Sequence, residues 1–333
     1  MDSNFEPKSK YILNNIKCKY FLERVFGNLS KYKLLALVKY NKELKNQFNI
    51  NINDYKKYSE EYSSIEIELK PVPNKYGQFI NIQGDSREYH IYFNDNKEEI
   101  KTNKITENDN VSKIKIKIDY KIRSLDKLFK DCKCLESITF KKFSRNNIID
   151  MSYMFNYCSG LKSLNLERFN TSQITNIRCM FTYCSSLEEL NLSSFDTTNV
   201  TNMNATFFNC SSLKQLNISS FNTNNVITTN SMFAGCSSLK ELNLSNFNTN
   251  NLEDMGGMFY GCSSIKELDI SNFNIDKVYN MRNLFYGCTS LIELNLSNLD
   301  IKNVQYTGGI FFKCNNKLKK KLKEKYDNIP ELD

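Results

Sequence analysis

The chain is poor in the groups that most enzymes use for catalysis. It has one histidine, His90, among 333 residues, which excludes a histidine-rich metal site. A lone histidine in a predicted strand is more often a packed or surface residue than a catalyst, and the sequence shows no Ser-His-Asp constellation around it. Its glycine pairs, at 256–257 and 308–309, lack the spacing of a phosphate-binding loop. We therefore expect a protein that is not an enzyme and that binds neither a metal nor a cofactor.

Long apolar segments are also absent. The chain has no run of 18 apolar residues, so the sequence predicts no transmembrane helix. Its N-terminus, MDSNFEPKSKYILNNIK, lacks the charged-then-apolar pattern of a signal peptide. We expect an intracellular, cytoplasmic protein whose eleven cysteines are reduced.

The net charge of +8 is unevenly distributed. Between Cys132 and Cys314 there are 14 basic and 14 acidic residues, so this part of the chain is neutral. The excess of lysine lies on both sides of it. A neutral surface does not attract a phosphate backbone, and we therefore expect no nucleic-acid partner.

Two residue types recur at a fixed interval of 26 positions. The cysteines are Cys132, Cys158, Cys184, Cys210, Cys236, Cys262, Cys288 and Cys314. The phenylalanines are Phe129, Phe155, Phe181, Phe207, Phe233, Phe259, Phe285 and Phe311. A strict period of this length is typical of a solenoid, in which one small structural unit packs on copies of itself.

Each repeat contains the pattern of one strand. Leu187, Leu190 and Leu192 follow the spacing L-x-x-L-x-L and alternate with polar residues. The segment that ends at Cys210 is short and is expected to form one helical turn. The predicted fold is a mainly β repeat solenoid, similar to leucine-rich repeats, with one strand and one short helical turn per 26-residue unit.

The regularly spaced cysteines allow three interpretations. Neighbouring copies would lie within reach of a disulfide. A metal site is disfavoured, because ligands in a line do not converge on one point. Each cysteine also lies beside a predicted core phenylalanine, and cysteine packs well as a small buried residue. We expect packing in a reducing compartment.

The polar positions of the strands form the candidate partner-binding surface. The positions that we select are Glu189, Asn191, Ser193, Glu241, Asn243, Glu267 and Asp269. Because these positions are nearly uniform from repeat to repeat, we expect the Asn and Ser side chains to hydrogen-bond along the stack. The alternative is recognition of an extended or repetitive partner. A more variable set on the helical side is Ser152, Arg178, Asn204, Asn230, Gly256, Arg282 and Gly308.

The repeats MFxxCSSLxxLNLSxFxTxNV resemble those of the BspA-like leucine-rich repeat family, found in surface proteins of bacteria and protists. The resemblance covers residues 111–314. It implies a β-rich solenoid without catalytic activity and a role in adhesion or host contact.

The N-terminal segment FLERVFGNLSKYKLLALVKYNKEL has helical spacing. It is similar to an F-box, although the usual Leu-Pro opening and a tryptophan are absent. The resemblance implies binding to a Skp-type adaptor through Leu22, Val25, Phe26 and Leu29. A plain helical cap or linker domain is the alternative interpretation.

The predicted organisation has four parts. Residues 1–50 form the helical segment, 51–110 a small β segment, 111–314 about eight repeats, and 315–333 a helical cap. Ile114, Ile116 and Ile118 are expected in the strand of a divergent first repeat. The predicted function is a non-enzymatic interaction scaffold, with a substrate adaptor of a cullin-type ubiquitin ligase as one candidate. The alternative is a BspA-like surface or adhesion protein.

Overall fold

The structure is a computed structural model that describes residues 35, 42–47, 50–54, 63–119, 122–296, 301 and 304–325. The chain divides into two compact units, residues 1–63 and residues 64–333. In the first unit, helix α1 (Lys42–Gln47) is followed by Ile50, whose amide donates to the carbonyl of Lys45 at 2.8 Å. The predicted F-box-like residues lie outside the described residues, so this assignment stays a prediction.

The second unit consists mostly of short strands in small sheets, with few helices. Its strands are β1 (Ile65–Pro71), β2 (Gly77–Gln78), β3 (Tyr89–Phe93), β4 (Lys104–Ile105), β5 (Ile114–Ile118), β6 (Leu135–Lys142), β7 (Ser163–Asn165), β8 (Glu189–Asn191), β9 (Gln215–Asn217), β10 (Glu267–Asp269) and β11 (Glu293–Asn295). The described α-helix of this unit is α2 (Asn316–Lys325), and a short 3-10 helix covers Ser86–Glu88. The largest sheet has the order β3-β5-β1-β6-β7, and the others pair β2 with β4, β8 with β9 and β10 with β11.

Alternating apolar residues build the five-stranded sheet. In β1, Ile65, Ile67 and Leu69 are buried while the residues between them are half-buried. They lie opposite Ile118, Ile116 and Ile114 of β5 in antiparallel register. The same three isoleucines lie opposite Tyr89, Ile91 and Phe93 of β3. One buried face therefore continues across three strands, as the period-2 pattern predicts.

Strand β5 does not have the role that the sequence analysis gave it. Residues 114–118 were expected to form the strand of a first repeat, which would run parallel to the strands after it. Instead β5 is antiparallel to both β1 and β3. The repeat strand is β6, which pairs in parallel with β7 through Ile138 and Leu164. The reason is that β1 and β3, on the two sides of β5, both carry apolar residues in register with its three isoleucines.

Backbone contacts between residues 26 positions apart continue through the repeats. The parallel bridges join Ser124, Asp150, Asn176, Asn202, Thr228, Asp254, Asn280 and Tyr306 in succession. We call any set of residues that recurs every 26 positions a column, and we name each column by one member. The strand pairing is less continuous. β8 pairs with β9 and β10 with β11, but residues 241–243, which occupy the same columns, are in no strand.

The segments expected to form a helical turn are tight turns instead. The amide of Phe155 donates to the carbonyl of Met180 in the next repeat at 2.9 Å, and the amide of Cys158 donates back to Phe155 at 3.0 Å. Two residues in this segment, Tyr153 and Tyr157, have left-handed φ angles of 56° and 59°. An α-helix would use all of its amides internally. Here the adjacent repeat takes alternate amides, and the chain therefore turns without becoming helical.

Stacked phenylalanine rings fill the centre of the repeats. The Phe207 column runs from Phe129 to Phe311, and its members are buried. Successive ring centroids are 5.5–5.9 Å apart, with planes nearly parallel. Because each ring packs against its own copies, the column tolerates little change in side-chain volume.

The cysteine thiols donate hydrogen bonds to the phenylalanine column. The Sγ atom of Cys210 lies 3.1 Å from the carbonyl oxygen of Phe181, and the same contact recurs from Cys158 to Cys314 at 3.0–3.2 Å. The ten described cysteines are free and buried. The thiol therefore fills space and also satisfies a carbonyl group that lies within the core.

A threonine column joins neighbouring repeats in a way that the sequence analysis did not predict. The Thr197 hydroxyl donates to the carbonyl of Asn222 at 2.8 Å and accepts the amide of the same residue at 2.8 Å. Thr223 and Thr249 make the same pair of bonds to the following repeat. These threonines are buried, so the hydroxyl replaces water for two backbone groups.

Helix α2 follows the last repeat. The i, i+4 spacing of Leu318 and Leu322 predicts one apolar face, and both side chains are buried. Lys321 forms an ion pair with Glu293 of β11. None of the helices in the described ranges is long and apolar enough to span a membrane.

The phenylalanine column should dominate the stability of the repeats. Phe207 is buried and stacks on Phe181 and Phe233. Phe207→Ala should therefore lower the free energy of unfolding by about 3–5 kcal/mol. Phe311→Ala should cost less, because Phe311 has one ring neighbour in the column, Phe285. The exposed control Asn217→Ala should cost least, and urea denaturation measures the order. If Asn217→Ala is the most damaging change, the strand face is misassigned.

Burial should protect the thiols from alkylation. Desolvation raises the pKa of Cys210 from 9.0 to about 12, so the reactive thiolate is scarce at pH 8. We expect iodoacetamide to modify Cys210 slowly in the native protein and rapidly in denaturant, as measured by mass spectrometry. The control is Ser219→Cys, which places a thiol at an exposed position of the same repeat. Equal native rates at positions 210 and 219 would contradict the buried site.

Candidate partner-binding face

The seven residues that we selected on the predicted strands are all exposed in the structure. Glu189 and Asn191 belong to β8, Glu267 and Asp269 belong to β10, and Ser193, Glu241 and Asn243 lie outside the strands. We call the surface formed by the Lys240, Glu241 and Asn243 columns the strand face. The other selected residues, Leu22, Val25, Phe26 and Leu29, lie outside the described part of the chain.

The asparagines of the strand face mainly form local turns rather than a ladder along the repeats. Asn191 and Asn243 each accept, through Oδ1, the amide of the residue two positions later, at 3.1 and 3.0 Å. One bond does run between repeats, from Asn295 Nδ2 to Asp269 Oδ2 at 3.1 Å. The prediction that Asn side chains hydrogen-bond along the stack is therefore wrong for Asn191 and Asn243. The reason is that the side chain reaches its own backbone more easily than the next repeat.

Hydrogen bonds also fix the charge of Asp269. The Ser271 hydroxyl and amide, followed by Asn295, lower the pKa of the Asp269 carboxyl below its ordinary value of 3.8. Asp269 therefore stays ionised at any pH at which the protein would meet a partner.

The Lys240 column carries a charge pattern that the sequence analysis missed. In its first part, opposite charges pair between repeats: Lys162 with Glu136 at 3.2 Å, and Lys214 with Glu188 at 2.6 Å. Lys214 also lowers the pKa of Glu188. The signal was available, since residues 136, 162, 188 and 214 alternate in sign at the repeat interval.

The alternation of charge stops after Lys214. The next two members of the column, Lys240 and Lys266, are exposed and have no ion-pair partner among the described residues. In the adjacent column, Glu241 and Glu267 likewise follow one another. A row of lysines and a row of glutamates therefore lie side by side, and within each row the neighbouring residues carry the same charge. Like charges in neighbouring strand positions repel each other, so these rows gain from an oppositely charged partner.

A groove opens at the same place. It has a volume of about 790 Å³. Its lining residues are Lys240, Glu241, Leu242, Asn243, Ser264, Lys266, Glu267 and Ser290. It lies where residues 241–243 form no strand, between the β8–β9 and β10–β11 sheets. Three of the selected residues, Glu241, Asn243 and Glu267, therefore come together with two lysines that were not selected.

The groove offers charged and polar contacts. Within the described ranges, no group of three or more His, Cys, Asp or Glu side chains could hold a metal ion. His90 lies in β3, outside the groove lining, with Nδ1 3.2 Å from Glu99 and Nε2 3.4 Å from Asp119. The chemistry of the groove suits ion pairing and hydrogen bonding to another molecule.

Comparison with known families gives two overlapping matches to one family model, at residues 123–241 and 204–325. The model is described as "Mycoplasma protein of unknown function, DUF285". The chain belongs to the DUF285 family. DUF285 is a repeat family related to the BspA-like surface repeat proteins. No curated protein and no solved structure matches the chain.

The DUF285 matches cover the repeats and the groove but not the N-terminal part. They begin at residue 123, so they include neither the F-box-like segment nor strands β1 to β5. The family description assigns no function, and any role for the strand face therefore rests on its geometry and charge.

Proposed function

We propose that this protein is a non-enzymatic interaction scaffold that binds a protein partner on its strand face. In this proposal the repeats form a solenoid similar to leucine-rich repeats, and the groove at residues 241–243 is the centre of the binding surface. The seven successive bridges between residues 26 positions apart support the solenoid. A Skp-type adaptor bound through the N-terminal helices remains a prediction from the sequence.

The observation that carries this proposal is the change in charge pattern at the groove. Elsewhere on the strand face lysines are neutralised by glutamates of the adjacent repeat, as Lys214 is by Glu188. At the groove Lys240 and Lys266 follow each other without such a partner among the described residues. A surface selected only for stability would continue the alternation, because neighbouring like charges are unfavourable.

The charges indicate the chemistry of the partner. The lysine row and the glutamate row are parallel and adjacent, so a complementary segment would carry acidic and basic residues on its two sides. Exposed ion pairs add little to affinity on their own. They do steer association and fix the register of a partner, which is the expected use of a shallow charged groove.

The proposal predicts that a protein partner contacts the groove and that this contact depends on Lys240 and Lys266. A photoreactive amino acid at Ser290, which lines the groove, should form a protein adduct in cells. Lys240→Glu with Lys266→Glu should reduce that adduct at least tenfold, because both partners would then be acidic at this position. Immunoblotting of the tagged chain measures the adduct.

Matched controls keep the result interpretable. Lys133→Glu with Lys277→Glu makes the same change in net charge at exposed positions outside the groove, and it should leave the adduct unchanged. A probe at exposed Thr198 should form no such adduct. If both double variants lose the adduct equally, net charge alone explains the result and the groove is not the site.

A second candidate function is that of a surface or adhesion protein. The relationship of the family to BspA-like surface repeat proteins favours it. The two candidates predict different locations of the tagged chain in intact cells. An interior scaffold should resist added protease and an impermeant biotin reagent, whereas a surface protein should react with both. If the biotin reagent labels the tagged chain on intact cells, the adhesion function replaces the interior scaffold as the better proposal.

A further inference from the structure

A second column of the repeats carries aromatic rings that are exposed at Tyr260 and Phe312 and half-buried at Phe208 and Tyr286. The Tyr260 column contains Phe208, Ala234, Tyr260, Tyr286 and Phe312 at successive repeats. Tyr260 and Tyr286 stack with centroids 4.6 Å apart and planes 7° from parallel, and Tyr286 lies 5.3 Å from Phe312. Ala234 interrupts the column, so Phe208 and Tyr260 lie on either side of a position that carries no ring.

Two glycines enlarge the space beside Ala234. Gly256 and Gly257 occupy columns in which the adjacent repeats carry Asn230 and Ser231 on one side and Arg282 and Asn283 on the other. The result is a notch of about 390 Å³. We call this cavity the notch, and its main lining residues are Phe208, Asn230, Ser231, Tyr260, Arg282 and Asn283. It shares no residue with the groove on the strand face.

A hydrogen-bonded network holds the floor of the notch. The Asp254 carboxylate accepts Nδ2 of Asn230 at 3.1 Å, Nδ2 of Asn280 at 2.8 Å and the amide of Gly256 at 2.9 Å. A Cβ atom at Gly256 would lie only 2.6 Å from Nδ2 of Asn280. Glycine is therefore required for the two amides to converge on Asp254, and the floor is fixed before any ligand arrives.

Arg282 is the one charged side chain in the lining of the notch, and Asp254 lies behind that lining. Arg282 is exposed at the rim of the notch, whereas Arg178 of the same column lies 5.7 Å from the Tyr153 ring. The Asp254 carboxylate, which is bonded to the lining residues Asn230 and Asn280, places a negative charge behind the lining. An anionic ligand would find one cation and one anion, so the notch does not select for phosphate or carboxylate.

We propose that the notch binds one ring of a neutral saccharide. Two aromatic walls suit the C–H faces of a sugar ring, since aromatic faces are electron-rich and apolar. The amides of Asn230 and Asn283, the Ser231 hydroxyl and the Arg282 guanidinium surround the space and can exchange hydrogen bonds with hydroxyl groups. A volume of about 390 Å³ lies within the range of small-ligand sites.

The polar lining distinguishes this ligand from a purely apolar one. Among the lining side chains, those of Phe208, Ala234 and Tyr260 supply the apolar surface, and the others are amides, a hydroxyl, a guanidinium or glycine. An aromatic side chain of a protein partner would offer no hydrogen bonds to the Arg282 guanidinium and the Asn283 amide, which is unfavourable once water is displaced.

The test uses the full-length chain and four uncharged probes. These are the methyl glycosides of glucose, galactose, mannose and N-acetylglucosamine, titrated into the millimolar range and followed by saturation-transfer NMR. At least one glycoside should bind. Ala234→Tyr should weaken this binding at least tenfold, because it places a ring where the rest of the column has one and so fills the notch. Tyr260→Ala should also weaken it, because one wall is lost.

The controls separate loss of the site from loss of the fold. Tyr157→Ala removes a ring of similar exposure, 38 % against 41 % for Tyr260, from outside the notch, and it should bind the glycoside like the unaltered chain. Urea denaturation identifies any variant that is unfolded, and Tyr260→Ala tests the site if Ala234→Tyr does not fold. Sialic acid and N-acetyltryptophan amide are titrated in the same way for comparison. Three results would overturn the proposal: no glycoside binds, sialic acid binds and no glycoside does, or N-acetyltryptophan amide binds and no glycoside does.

Discussion

The rest of this structure depends on backbone hydrogen bonds between residues that are 26 positions apart in the chain. The bridges from Ser124 to Tyr306 hold each repeat in one register with the next. Each side chain therefore lies against the equivalent residues of the adjacent repeats, and each buried column can accept only residues of similar size and polarity. The stacked rings around Phe207 and the thiols around Cys210 follow directly from this constraint.

Much of the polar composition of the repeats serves the same purpose. Thr197 satisfies two backbone groups of the next repeat, and the Asn246 amide donates to the carbonyls of Ile218 and Phe221. A uniform polar column is therefore explained by structure. Function is better sought where a column changes, and two such changes lie close together in sequence. The Lys240–Lys266 rows form a charged groove, and Ala234 with Gly256 forms a notch.

The sequence was informative about the candidate sites only in part. It placed Glu241, Asn243 and Glu267 on an exposed face, which the structure also shows. It did not single out Lys240 and Lys266, because a lysine at these positions is unusual only when its charge is compared with the alternating charges at residues 136, 162, 188 and 214. It could not reveal the groove, because residues 241–243 lack a strand although their sequence, ELN, is the same as that of β8 and β11.

The sequence by itself determined the period, and the period determined which side chains meet. Phe207 had to lie between Phe181 and Phe233 once the repeats packed in register. The tertiary structure alone decided the path of the backbone between these contacts. It made tight turns with left-handed residues at Tyr153 and Tyr157 where a helical turn was expected, and it turned β5 into an antiparallel strand. Periodicity fixes the neighbours of a residue, but which carbonyl accepts each amide depends on what the adjacent chain segments offer.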